Sequence, residues 1–160
     1  MDIQIFTTGG TIDKVYFDAQ SDFQVGEPQV AEILKGAHVT VEYTVETLFR
    51  KDSLDLTDAD RAVIAERVRE TPCRRVLITH GTDTMIQTAQ VLQDIPEKTI
   101  VLVGSLSPAR FKRSAAEFNI GFALAAVQAL AAGVYIAMNG CLFDPEKVRK
   151  NREMNQFEEA

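Results

Sequence analysis

Five short apolar runs, rich in β-branched residues and separated by stretches of helical spacing, constrain this chain more than any other feature. They are "IQIFT" (3–7), "VTVEYTV" (39–45), "RVLITH" (75–80), "TIVLVG" (99–104) and "GVYIAMN" (133–139), each of strand length. Only 39–45 alternates apolar with polar over most of its length, which predicts an edge strand. The others are continuous runs, the pattern of strands covered on both faces, so the sheet should be mostly parallel and sandwiched by helices.

Helix start signals fill the gaps. Pro28 suits a first helical position ahead of Val30, Ile33 and Leu34, which share one face, and Gly36 ends that helix. Thr57 with Asp60, Thr84 with Gln87, and Ser114 with Glu117 repeat the capping-box spacing, predicting helices that start near 58, 85 and 115. The segment "SAAEFNIGFALAAVQALAA" is apolar nearly all round and should be the most buried of these. The alternation predicts an α/β fold: a doubly wound, flavodoxin-like, mostly parallel five-stranded sheet with helices on both faces and function at the carboxyl ends of the strands. With 160 residues, one domain spanning 1–160 is expected.

Composition narrows the partners. Seventeen basic against twenty-three acidic side chains give a net charge of −6, a field that repels nucleic acid and anionic membranes. No run approaches the roughly 20 apolar residues of a bilayer span, and "MDIQIF" has no signal-peptide pattern. Cys73 and Cys141 have neither disulfide-framework nor zinc-site spacing, and His38 and His80 form no metal cluster with them. The expectation is a cytoplasmic protein with no metal and no cofactor, whose partners are small molecules or sister subunits.

Two turns carry candidate chemistry. "TTGGT" (7–11) leaves the first strand at its carboxyl end, where Gly9 and Gly10 let the backbone approach a ligand and deliver Thr11 into the crevice. A tight turn without a ligand is the other reading of that stretch. A dinucleotide fingerprint lacks its third glycine, and a phosphate loop lacks its G-K-[ST] ending. "THGTDTM" (79–85) repeats the arrangement at another strand end, with Gly81, Thr82 and Asp83, while Thr84 reads as a helix cap. Asp83 could equally be a first-turn acid favoured by the helix dipole. His80 has no nucleophile beside it and reads as a packed or hydrogen-bonded strand-end histidine. Lys150, in "KVRKNR", reads from pattern alone as part of a solvated basic face. Residues 13–27 break the strand-helix alternation and read as a long loop over the strand ends.

The pair "TTGGTI" and "THGTDTM" resembles the two signatures of the bacterial-type L-asparaginases and glutaminase-asparaginases. "LVGSLSP" (102–108) is similar to that family's strand and following turn, and "FDPEKVRKN" (143–151) to the segment bearing its catalytic lysine. The resemblance covers essentially the whole chain as the family's N-terminal domain, and implies a short, single-domain form lacking the smaller C-terminal domain. It implies Thr11 as the nucleophile on the side-chain amide, Tyr16 as its deprotonation partner, and Thr82, Asp83 and Lys150 as a second catalytic cluster. Gly10, Asp52, Ser53 and Gly81 would bind substrate, with Ser53 on the α-carboxylate. The implied reaction is hydrolysis of L-asparagine to L-aspartate and ammonia through an acyl-enzyme. Glutamine, another small amide, or a non-catalytic amino-acid-binding role are the alternatives.

An alcohol nucleophile needs a base. Burial would lower the pKa of Lys150 whereas Asp83 alongside would raise it, so Lys150 is either a desolvated base or a fixed positive charge. Backbone N–H groups in the glycine turns can stabilise an oxyanion, each by about 3 kcal/mol. Two departures stand out: Leu54 where the larger enzymes commonly carry Gln, and Ala115 and Ala116 where an acid often stands. With no second domain to supply an acid, Asp83 with Asp52 or Asp55 would meet the substrate ammonium. Each lost charge-assisted hydrogen bond there costs about 1.5–3 kcal/mol, so weak binding is expected. The resemblance and the apolar 114–131 segment also imply a homodimer or larger assembly.

Overall fold

The structure, a computed structural model, describes residues 2–17 and 22–160. Its main sheet has six strands in the order β4-β1-β5-β6-β7-β8: β1 (Ile3–Gly9), β4 (Tyr43–Lys51), β5 (Arg75–Thr79), β6 (Thr99–Val103), β7 (Gly133–Met138) and β8 (Cys141–Phe143). The first five pair in parallel and β8 pairs antiparallel with β7. Among the parallel strands the chain order reverses beside β1, the doubly wound pattern expected, with a crevice at the carboxyl ends of β1 and β5.

Alternate side chains of the central strands feed two apolar clusters, because successive residues of a strand point to opposite faces. Phe6, Val76, Ile78, Ile100 and Leu102 pack on one face with Ile64 and Val68 of α2 (Asp58–Glu70) and Met85 and Ala89 of α3 (Met85–Val91). Ile3, Ile5, Leu77, Val101 and Val103 pack on the other with Val30 and Leu34 of α1 (Val30–Gly36) and Ile120 and Val127 of α4 (Ala116–Ala129). This two-sided burial is why the strand runs are uninterrupted.

Several expectations need correction. The strand placed at 39–45 begins at Tyr43 and extends to Lys51, still at the sheet edge. Residues 39–42 are spent returning from α1 to the sheet, after a turn in which His38 takes a left-handed backbone, φ 53°. The sixth strand follows a two-residue turn, Asn139 (φ 54°) and Gly140 (φ 71°), the left-handed pair of a type I′ hairpin. The stretch 13–27 is not a plain loop: β2 (Lys14–Phe17) and β3 (Asp22–Val25) form an antiparallel hairpin, with residues 18–21 lying outside the described residues. Two further strands, β9 (Val148–Asn151) and β10 (Gln156–Glu159), make a hairpin after the main sheet.

Only one of the three capping boxes forms. Thr57 and Asp60 exchange both bonds at the start of α2. Thr84 makes no side-chain cap. The Ser114 hydroxyl accepts from the Ala116 N–H at 3.0 Å, but α4 begins after Ala115 without a box. Half of α4 is buried as expected, but Phe118 on its outer face is 62% exposed. Among the described residues no helix is long and apolar enough to cross a membrane.

Candidate active site

The turn after β1 is held open by two glycines in left-handed backbone, Gly9 (φ 100°) and Gly10 (φ 92°). At Gly9 a side chain would meet the Lys51 carbonyl oxygen at 2.5 Å, and at Gly10 it would collide with the backbone of Gly81, from the turn after β5. Glycine is required here because two backbones touch. That contact brings together the two turns that carry Thr11 and Thr82, at the carboxyl ends of adjacent strands. Thr11 opens a single 3₁₀ turn, Thr11–Asp13, and is partly exposed.

A third turn joins them. Ser53, 1% exposed, opens the 3₁₀ turn Ser53–Asp55 after β4, and a side chain at Gly81 would meet its Cβ and Oγ at 2.6 Å. Asp52 caps that turn through the Leu54 N–H at 3.2 Å and pairs with Lys14 of the hairpin at 2.9 Å. Burial would raise the Asp52 carboxyl, but the bonds from Lys14 and Leu54 and the charges of Lys14 and Lys150 outweigh it and hold the group below its usual range.

Lys150 arrives from β9, 67 residues after Asp83. Val148 and Phe157, which is paired with Lys150 across the hairpin, are buried in the core and anchor it. Lys150 shares their face. Its Nζ donates to Thr82 Oγ1 and to Asp83 Oδ1, each at 2.8 Å, and its side chain is 15% exposed. The solvated-face reading of Lys150 is therefore wrong; the neighbouring Arg149 takes that place. Arg152 adds a second cation at 3.2 Å from Asp83 Oδ1.

Tyr16 is not brought to Thr11 by any bond: its ring, 53% exposed, packs on Phe23 with centroids 5.4 Å apart, and Phe23 in turn meets Phe111 at 5.7 Å. His80 is fully buried. Its Nδ1 must carry the proton, since it donates to the Gly81 carbonyl at 2.7 Å, and Nε2 meets Thr88 Oγ1 at 2.8 Å. Burial pushes the ring down to about 4 against the Gly81 bond, with the charge of Arg61 helping, so it is a neutral structural group. Sequence reasoning missed Lys14, Arg152 and the true role of Thr84. The Asn-Gly pair at 139–140 was a readable hairpin signal, whereas nothing local marks Lys14 as a partner of Asp52.

A doubly wound sheet with a threonine-bearing glycine turn at each of two adjacent strand ends, and a lysine locked to the second, defines a recognisable class. The family model described as "Asparaginase, N-terminal" matches residues 2–158, and the chain belongs to that family. It is 30% identical to L-asparaginase 2 of Escherichia coli (strain K12) over 165 residues, covering 92% of this chain and 46% of that protein. It is 34% identical to the glutaminase-asparaginase of Acinetobacter glutaminasificans over 107 residues, 61% of this chain and 32% of that one. Among solved structures, the thermostable L-asparaginase from Thermococcus kodakarensis superposes with a TM-score of 0.87 at 25% identity, and L-asparaginase I from Vibrio cholerae O1 with 0.82 at 26%. Each alignment covers 99% of this chain and 51% of the other. The chain thus spans less than half the length of the curated relatives it matches and about half of the solved ones.

Proposed function

We propose that this chain, acting as one domain, is an amidohydrolase that cleaves the side-chain amide of L-asparagine to L-aspartate and ammonia. The observation that carries the reading is the contact of Gly10 with Gly81, which joins the turn bearing Thr11 to the turn bearing Thr82 and Asp83, the two residues that Lys150 binds at 2.8 Å. In this reading Thr11 Oγ attacks the amide carbon, its proton passes to a base, and the nitrogen leaves as ammonia, giving a threonine ester. Water then attacks that ester and frees the acid and the hydroxyl. The ion pair with Asp83 suits Lys150 to the role of a fixed positive charge beside Thr82 rather than a neutral base. Backbone N–H groups of the two glycine turns would receive the oxyanion.

Tyr16, whose ring packs on Phe23 in the β2–β3 hairpin, would assist the deprotonation of Thr11. Both candidate acids already carry cations, Asp52 from Lys14 and Asp83 from Lys150 and Arg152, so a substrate ammonium would have to share one of them. The resemblance also favours a homodimer or larger, and a cytoplasmic location agrees with two free cysteines, Cys73 and Cys141. No nucleic-acid or membrane partner belongs to the reading.

Ammonia release from asparagine and from glutamine, measured in parallel on the pure protein, tests it. Thr11→Ala and Lys150→Met should each lower turnover of asparagine by at least about a hundredfold. Faster release from glutamine moves the substrate assignment, and a wild-type rate equal to that of Thr11→Ala leaves an amino-acid-binding module.

A further inference from the structure

The threonine that the capping pattern assigned to α3 is used elsewhere. Thr84 Oγ1 donates to the Ser53 carbonyl at 2.7 Å, and the Thr84 N–H donates to Ser53 Oγ at 3.3 Å. Both bonds tie the turn after β5 to the turn after β4, 31 residues away in sequence. The second bond has a chemical consequence. A serine hydroxyl has one proton and two lone pairs. Here the oxygen accepts from a backbone N–H, while the hydroxyl proton has no acceptor among the described residues. Ser53 is 1% exposed and backed by Gly81, whose missing side chain is what leaves room for it. A buried hydroxyl with its acceptor side filled and its proton unspent is a donor waiting for an acceptor, and an anionic oxygen is the strongest one available.

We infer that Thr84 is a positioning residue: by clamping Ser53 from both its carbonyl and its hydroxyl, it sets Ser53 as a donor toward the carboxylate of the substrate and so fixes the preference for amides that carry one. This rests on the reading of the site as an asparaginase in which Ser53 faces the α-carboxylate, and adds the residue that aims it. Thr84 touches no reacting atom. Its loss should therefore weaken binding and leave the chemical step in place. The Ser53 carbonyl keeps its bond from the Leu56 N–H, 3.3 Å, so removal of the Thr84 hydroxyl loosens the turn without stranding a buried acceptor.

The test compares wild type, Thr84→Val, Thr84→Ser, Ser53→Ala and Ser53→Ala/Thr84→Val, reading kcat and KM for L-asparagine and the Kd of L-aspartate by calorimetry. Thr84→Val should raise KM and Kd about tenfold with kcat within about twofold, the scale of one misaimed charge-assisted hydrogen bond. Thr84→Ser should restore both, and Thr84→Val should add nothing once Ser53 is Ala. If Thr84→Val does not fold, Thr84→Ala replaces it with the same expectations. A variant with unchanged KM and Kd, a fall in kcat alone, or full additivity with Ser53→Ala overturns the inference while leaving the asparaginase reading intact. Wild-type protein that releases no ammonia overturns both.

Discussion

Asp13 closes the Thr11–Asp13 turn and is 2% exposed, yet only one of its oxygens is satisfied: Oδ1 accepts from the Gln29 N–H at 2.9 Å, and the buried Oδ2 has no hydrogen-bond partner among the described residues. Burial raises this carboxyl to about 7, against the Gln29 bond and the charges of Arg110 and Arg50. The folded chain therefore holds the Asp13 proton more tightly than the unfolded chain does. Its contribution is full below about pH 4 and is lost as pH rises through about 7, by about 1.4 kcal/mol per unit across that window. His80 works in the opposite sense, its contribution being full above about 6.5 and lost as pH falls toward 4. Asp13→Asn keeps the acceptor for Gln29 and removes the titration, while His80 is common to both proteins and cancels. Urea unfolding should show the variant gaining on wild type by about 2–3 kcal/mol between pH 5 and pH 7, and no further above that. A difference independent of pH would mean that Asp13 does not titrate in the folded protein.

Among the elements, turns rather than helices and strands set the site, and their legibility was uneven. The glycine turns were readable because no side chain fits in them: Gly9 and Gly10 have positive φ and touch other backbone, and Gly81 leaves room for Ser53. Gly10→Ala forces a side chain into backbone at φ 92° and ψ −178°, a region essentially reserved for glycine, at about 1–3 kcal/mol by itself, and into the Gly81 backbone besides. Thermal unfolding of the variant should show a loss above that figure, together with loss of ammonia release. An unchanged melting temperature would mean that the two turns can part without cost. The capping boxes were less reliable, because a hydroxyl at the right spacing has competitors beyond its own helix. Thr57 faces solvent and closes its box, Thr84 finds the Ser53 carbonyl first, and Ser114 sits among the hydroxyls of Ser105 and Ser107. Spacing states what a local bond can do, and tertiary neighbours decide whether it is made.

For the molecule as a whole, the parallel core was legible because both faces of each central strand are buried and their residues say so, as in Ile5–Phe6 and Ile100–Val103. The placement of Lys150 was not. Its pairing with Asp83 depends on Val148 and Phe157 reaching the core, a long-range fact that "KVRKNR" does not carry. The outer face of α4 poses the same problem at the surface. Phe118 is exposed and its ring stacks on Phe122, centroids 6.2 Å apart and planes 8° from parallel, beside Gly121, where a side chain would meet nothing. Two flat rings beside an open glycine permit close approach by a second helix, and contiguous exposed apolar surface marks contact sites. If this face joins two copies in the proposed homodimer, Phe118→Glu sets like charges against each other across a two-fold axis, where each patch meets itself. Sedimentation should then show a dimer for wild type and a monomer for the variant, with circular dichroism unchanged because Phe118 contributes little to the core. A wild-type protein that sediments as a monomer contradicts the assembly, and a variant that stays dimeric moves the contact to another face.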